Sequence, residues 1–144
     1  MGKINWGRVI LGGLLAGVVI NVIEGIFGML YMEEMKATLQ AHNLSMGEDP
    51  GTMMLFLLLG FVFGILGVWI YAAIRPRFGM GSKTALKAAI VVWIFYLGSL
   101  AGWASLGLYP RYMIIMWAVV GLVETIIAVM LGAWLYKEEE TATE

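Results

Sequence analysis

The stretch GLLAGVVINVIEGIFG, residues 13–28, decides the fold of this chain. Apart from Asn21 and Glu24 it holds only apolar residues and glycine, and apolar residues continue on both sides of it. A helix needs about 20 consecutive, mostly apolar residues to cross the hydrocarbon core of a membrane. We therefore predict a transmembrane helix over residues 8–32, which is too long for a signal peptide.

Three more segments of the same kind follow along the chain, over residues 52–74, 84–106 and 111–136. Residues that commonly start helices stand before the four segments: Asn5, Asp49 with Pro50, Ser82 and Pro110. We predict an all-α, polytopic integral membrane protein in which four transmembrane helices pack as a bundle. It forms a single domain over 1–144, with a loop over 33–51 and a tail over 137–144.

The composition supports this class of protein. Hydrophobic residues make up 61% of the chain and charged residues 13%, a balance far from that of soluble domains, so the lipid bilayer is its first partner. The scattered Lys and Arg residues form no basic groove, and we expect no binding to nucleic acid. Cysteine is absent, which excludes disulfides and thiolate metal sites.

The charged residues predict the orientation, because Lys and Arg accumulate on the cytoplasmic side of a membrane. The link between the second and third helices is basic, with Arg75, Arg77, Lys83 and Lys87. The loop over 33–51 is mostly acidic, with Glu33, Glu34, Glu48 and Asp49 against Lys36. We expect this loop outside, both chain termini in the cytoplasm, and a cytoplasmic turn at Arg75-Pro76-Arg77. Met32, Met35 and Leu39 would also allow the first helix to continue beyond the membrane.

Glycines predict which helix faces pack together. They recur at spacings of three and four residues, which places them on one side of each helix, and three pairs form G-x-x-x-G. Small residues let helices approach closely in lipid, where van der Waals contact must drive association. The predicted packing glycines are Gly13, Gly17, Gly28, Gly60, Gly64, Gly67, Gly98, Gly102, Gly121 and Gly132.

Two carboxyl groups are the best functional lead, because Glu24 and Glu124 each stand alone in an apolar helix. A charge at that depth is costly unless it is paired, protonated or used. From the helix rise, Glu24 lies about 6 Å nearer the outer face than Glu124, with Asn21 near the level of Glu124. We therefore predict a polar cluster of Asn21, Glu24, Glu124 and Thr125, in which at least one carboxyl keeps its proton.

Eight of the eleven methionines fall at the outer face, near His42. Thioethers suit Cu(I), which would make Met29, Met32 and Met35 candidate ligands. Their spacing of three residues spreads the side chains over an arc, however, and methionine commonly fills irregular helix contacts. We predict no metal site and no cofactor.

A weak internal echo links the second and fourth helices, which end in GVWIY (67–71) and GAWLY (132–136). It is typical of two hairpins related by a pseudo-twofold axis along the membrane normal. Glycine and aromatic residues are also common at membrane interfaces without any repeat.

The side chains offer little for catalysis. The chain has one histidine, no cysteine and no clustered carboxylates at aqueous depth. It therefore lacks the side chains that acid–base, nucleophilic and metal-hydrolase sites require. We expect no enzyme. The glycine faces favour a noncatalytic accessory or structural subunit that packs against partner membrane subunits. The alternative is a small proton- or cation-coupled transporter that uses Glu24 and Glu124 and forms a homodimer.

Several segments carry a resemblance: RPRFG (75–79) followed by SKTA (82–85), GLVE (121–124) and GAWLY (132–136). With these the chain resembles small four-helix bacterial membrane proteins that carry no assigned function. The resemblance implies a multi-pass protein of the bacterial inner membrane. It transfers no role to any residue.

Overall fold

The computed structural model describes residues 3–47 and 49–138. Four helices make up this part of the chain: α1 Trp6–Ala41, α2 Pro50–Phe78, α3 Ser82–Ser105 and α4 Arg111–Leu135. The helices pack together, and each is long and apolar enough to cross a membrane. The predicted all-α class is confirmed. Glu48 and most of the predicted tail, residues 139–144, lie outside the described residues.

Helix starts follow the expected capping chemistry in two cases. The Asn5 side chain accepts a hydrogen bond from the Arg8 amide at 3.1 Å, and the Asp49 side chain accepts one from the Thr52 amide at 3.0 Å. The Thr52 hydroxyl and amide both donate to Asp49, and these bonds lower the pKa of its carboxyl. Helix α3 differs, because Ser82 is its first residue and Gly81, at φ 114°, takes the capping position without a side chain.

Helix α1 continues past the predicted end at residue 32 and runs to Ala41, so much of the expected loop over 33–51 is helical. The residues from Glu33 to Ala41 include no proline or glycine that would stop a helix. A contact to α4 also holds this extension, since the Tyr112 hydroxyl donates a hydrogen bond to Glu34. The continuation that Met35 and Leu39 allow is the one observed.

Helix α2 also extends beyond its predicted end at residue 74. It runs through Pro76 to Phe78, where a turn was expected. Proline cannot donate a backbone hydrogen bond and crowds the carbonyl four residues before it, so it usually ends a helix. Here it lies in the last turn, close to where the helix ends anyway. Gly79, at φ 83°, then closes the helix by donating its amide to the Arg75 carbonyl at 2.9 Å.

The helices form a four-cornered bundle in which α2 and α4 occupy one diagonal. These two contact each other and both remaining helices, whereas α1 and α3 make no direct contact in the described chain. We call the end with Asn5, Gly81 and Tyr136 the terminal end. The opposite end, with the α1–α2 and α3–α4 connections, is the loop end.

The tightly packed core lies in the terminal half of the bundle. Its fully buried side chains include Val9, Val68, Ala88 and Val129. In the loop half of α2, by contrast, every residue from Met53 to Leu59 is exposed. Consecutive exposed positions cover all faces of a helix, so the rest of the chain does not enclose this segment. The terminal half of the bundle is therefore tightly packed, whereas the loop half of α2 is not covered by the rest of the chain.

Candidate functional site

Glycines on α1 and α2 bring these two helices into close contact. A Cβ added to Gly64 would collide with the Gly17 amide nitrogen and the Gly13 carbonyl oxygen. In return, Gly17 lies against Phe61 and Gly13 against Ile65. This contact fixes the rotation of α1 and thereby the direction of the polar residues one and two turns further along.

Asn21 is the first of these polar residues, and it faces α2. Its side-chain amide donates to the Leu57 carbonyl at 3.2 Å. Its Oδ1 atom lies 2.5 Å from where a Cβ on Gly60 would stand, so glycine is needed there to admit the side chain. The described contacts join Asn21 to α2 and include no hydrogen bond from it to either glutamate.

Helices α1 and α4 meet through a second glycine contact, between Gly12 and Gly132. A Cβ on Gly132 would stand 2.6 Å from the Gly12 carbonyl oxygen and 2.5 Å from a methyl group of Val68. Sequence reasoning missed Gly12, since the stripe was drawn through its neighbour Gly13. Both glycines allow close contact between helices, Gly12 with α4 and Gly13 with α2.

Glu24 and Glu124 come together across the α1–α4 contact. Their side chains lie within hydrogen-bonding reach of each other, and such a contact holds when one of the two carboxyls is protonated, because two carboxylates only accept. The two residues differ in burial. Glu124 is 5% exposed and its Oε2 atom is buried without a hydrogen-bond donor among the described residues, whereas Glu24 is exposed.

Tyr96 of α3 is a third titratable group at this site, and it lies near both glutamates. Its ring fills the space above Gly121, where a Cβ would stand 2.5 Å from the ring atom Cε1. The Trp93 indole, on the same helix, donates to the Ala118 carbonyl at 2.8 Å and ties α3 to α4. Sequence reasoning missed Tyr96, although a tyrosine in the middle of an apolar helix was a signal for it.

Thr125 is buried beside Glu124 in sequence but turns back onto its own helix. Its hydroxyl donates to the Gly121 carbonyl at 2.7 Å and lies 3.1 Å from the Leu122 carbonyl oxygen. Such a bond satisfies a buried hydroxyl without any partner helix. Of the four predicted cluster members, the structure therefore joins Glu24 and Glu124 and gives Asn21 and Thr125 other partners.

The predicted packing glycines fall into two groups, those with close neighbours and those without. Gly67 lies against Val129, and Gly60, Gly64, Gly121 and Gly132 have the close neighbours described above. A Cβ on Gly28, Gly98 or Gly102 would meet nothing within 4 Å. Among the described residues nothing covers these three glycines, so their role in helix packing stays a prediction. Glycine spacing defines a face of a helix without defining what covers that face.

Aromatic and charged groups close the terminal end of the bundle. The rings of Tyr71 and Tyr136 pack edge-on with centroids 5.9 Å apart, and the Arg75 guanidinium stands 5.5 Å from the Tyr136 ring centroid. Arg75 also lies 3.8 Å from Glu138. The Tyr71 hydroxyl accepts the Gly81 amide at 3.2 Å. The two tyrosines are the last residues of the GVWIY and GAWLY echo.

The loop-end methionines do not share one environment. Met113 is fully buried, whereas Met29, Met53 and Met54 are more than half exposed. Across residues 3–47 and 49–138 there is also no group of three or more His, Asp or Glu side chains placed to hold a metal ion.

Comparison with known proteins found no match for this chain, whether among family models, curated proteins or solved structures.

Proposed function

We propose that this protein is a small, noncatalytic membrane carrier coupled to a proton or another cation, with Glu24 and Glu124 as its binding site. The observation that carries the proposal is the contact between these two carboxyls, one of which has a buried oxygen without a donor. This contact moves the carrier ahead of the accessory role that the sequence favours.

The chemistry of a carboxyl pair suits such a carrier. Two carboxylates side by side in an apolar environment repel each other and are poorly solvated, so the pair binds a cation or a proton strongly. A bound cation neutralises the same negative charge that a proton would neutralise. Cation binding and proton release at the pair are therefore coupled. A purely structural polar contact would need only one carboxyl and one neutral partner.

The shape of the bundle supports the same proposal. A carrier exposes its site to one side of the membrane at a time. Tyr71, Tyr136 and Arg75 pack together at the terminal end, whereas the loop half of α2 is uncovered and Glu24 is exposed. We assign this conformation to a state that faces the loop end.

We further propose that the terminal end lies in the cytoplasm of a bacterial cell and that the protein resides in its inner membrane. Arg75, Arg77, Lys83 and Lys87 all lie at or near the terminal end, as the positive-inside rule requires of cytoplasmic segments. Both chain termini are then cytoplasmic, and the loop-end state faces outward.

Proton flux in vesicles tests the proposal. Purified protein reconstituted into liposomes with an internal pH dye should dissipate an imposed pH gradient when a counter-ion pathway is present. Glu24→Gln and Glu124→Gln should each abolish the flux. Glu33→Gln, an exposed glutamate at the loop end of α1, is the matched control and should keep it. Equal flux in all variants and in protein-free vesicles would overturn the proposal.

The second candidate is an accessory or structural subunit that packs against other membrane helices. Gly98 and Gly102 favour it, because this G-x-x-x-G face of α3 has open space in front of it. Mass spectrometry of the intact complex, extracted from native membranes in mild detergent, distinguishes the two. A stoichiometric foreign subunit would support the accessory role, and a homodimer without other subunits would support the carrier.

A further inference from the structure

We propose that the Glu24–Glu124 site binds an ammonium ion that carries at least one N–H group and an apolar body. This inference rests on the carrier proposed above and names its cargo class. Three features of the site lead to it: an acceptor without a donor, a pair of neighbouring carboxyls that favours one negative charge, and an open space beside Glu24.

The acceptor is Glu124 Oε2. It is buried in a residue that is 5% exposed, and no described group donates to it. A buried carboxyl oxygen without a donor is costly, so a ligand that supplies an N–H bond gains affinity there. A quaternary ammonium ion, which has no N–H, would bring the charge and leave the oxygen unpaired.

The charge of the pair selects a monovalent ligand. Two ionised carboxylates repel each other in an apolar site, so the pair favours one proton and one negative charge, which one ammonium group neutralises. Ca²⁺ and Mg²⁺ need about six or more oxygen ligands. Across the part of the chain that the structure describes, no third acidic or histidine side chain joins the pair.

The open space lies one turn from Glu24, on the side towards the loop end. Gly28 follows Glu24 by four residues and so shares its face of α1, and a Cβ at Gly28 would meet no atom within 4 Å. The stacked rings of Phe27 and Tyr31, with centroids 5.6 Å apart, adjoin the same segment. Such surroundings favour an apolar body and a cation held near aromatic rings.

Other titratable groups at the pair are few. Tyr96 from α3 interacts with both carboxyls. Helix α2 approaches through Gly60 and the Leu57 carbonyl, which Asn21 occupies. Glu24 and Glu124 are therefore the groups whose charge the ligand meets.

Matched amines test the inference. We would titrate N,N-dimethylphenethylamine and its trimethylammonium analogue into protein held in phosphatidylcholine nanodiscs, by calorimetry. The dimethyl compound should bind about tenfold or more tightly than the trimethyl compound, and Glu24→Gln and Glu124→Gln should each weaken it about tenfold or more. Equal binding of the two compounds would overturn the inference.

Filling the open space provides a second, independent arm. Gly28→Leu should weaken binding of the dimethyl compound about tenfold, while Gly98→Leu, at an equally open glycine on α3, should leave it unchanged. Equal affinity in the two variants would contradict the assignment of the site.

Repeating the titration in nanodiscs with phosphatidylethanolamine identifies the source of the ammonium group. Weaker apparent binding there would make the lipid headgroup a ligand, and unchanged binding would make it a free amine.

The failure of this inference and the failure of the carrier can be told apart. Glutamate-dependent proton flux without amine binding would overturn the ammonium site and leave the carrier standing. If the unaltered protein shows neither proton flux nor amine binding, both the carrier and the ammonium site are overturned.

Discussion

Gly64 of α2 lies directly against the backbone of Gly17 of α1, and a single added Cβ would collide with the Gly17 amide nitrogen. No side chain can yield at this point, because the obstacle is backbone. The spacing of α1 and α2 therefore depends on glycine here, and so does the placement of Asn21 and Glu24 further along α1.

We predict that Gly64→Ala lowers the free energy of unfolding by about 1–3 kcal/mol, the usual cost of forcing extra volume into a packed contact. Reversible unfolding in mixed micelles, followed by circular dichroism, measures it. Gly98→Ala is the control, because its Cβ enters open space and should cost nothing. Equal stability of the two variants would mean that α1 and α2 do not pack through Gly64.

The turn between α2 and α3 depends on the Tyr71 hydroxyl, which accepts the Gly81 amide at 3.2 Å. Tyr71→Phe keeps the ring contact to Tyr136 and removes only this acceptor. We expect a loss of about 1 kcal/mol in the free energy of unfolding. Tyr31→Phe keeps the stack on Phe27 and serves as the control. A Tyr71→Phe protein as stable as the control would show that the amide finds another acceptor.

The start of α2 should respond to acid through Asp49. Its pKa is lowered by the hydrogen bonds from Thr52, so the stabilising cap is complete above about pH 4, the ordinary range for aspartate. It is lost as the pH falls through the lowered pKa. Hydrogen exchange of the Thr52 amide, corrected for its intrinsic rate, should show protection that falls with pH in this range.

Asp49→Asn provides the matched comparison for that titration. Asparagine can accept the same amide bond and does not titrate, so its protection should stay constant with pH. Asp49→Ala should lack the protection at every pH. Protection of the unaltered protein that does not change down to pH 2 would refute the role of the carboxylate.

The carboxyl pair makes a prediction about stability as well as transport. In Glu24→Gln the amide can donate to Glu124, as a protonated carboxyl does. The free energy of unfolding of this variant should therefore lie within about 1 kcal/mol of that of the unaltered protein. In Glu24→Ala this donor is missing, and a buried carboxyl remains alone. We expect that variant to be destabilised by about 1–3 kcal/mol in the same unfolding assay. The reverse order of stability would show that Glu124 does not rely on Glu24.

Much of this fold follows from local sequence. The apolar runs predict four helices because a single apolar segment of about 20 residues can satisfy its own backbone inside a membrane only as a helix. Asn5 and Asp49 mark helix starts through their side-chain acceptors. The depth of Glu24 and Glu124, read from the helix rise, was enough to predict a cluster that contains both.

Other features required the assembled bundle. The contacts of Gly12 and Tyr96, and the open space at Gly98, depend on the rotation of each helix about its axis, which residue spacing alone does not define. The extension of α1 to Ala41 is accompanied by the bond between Tyr112 and Glu34, which joins residues of different helices. The Thr125 hydroxyl donates to a carbonyl of its own helix, a partner that residue spacing does not reveal.

Infrared difference spectroscopy of the carboxyl groups tests the shared proton at Glu24 and Glu124 most directly. Protein in nanodiscs would be measured at pH 6 and at pH 8.5, and at each pH the spectra of the two glutamine variants would be subtracted from that of the unaltered protein. We predict a protonated carboxyl band that persists above pH 8 in the unaltered protein and disappears in both Glu24→Gln and Glu124→Gln. A spectrum with both carboxylates ionised throughout this range, or a band unaffected by either substitution, would contradict it.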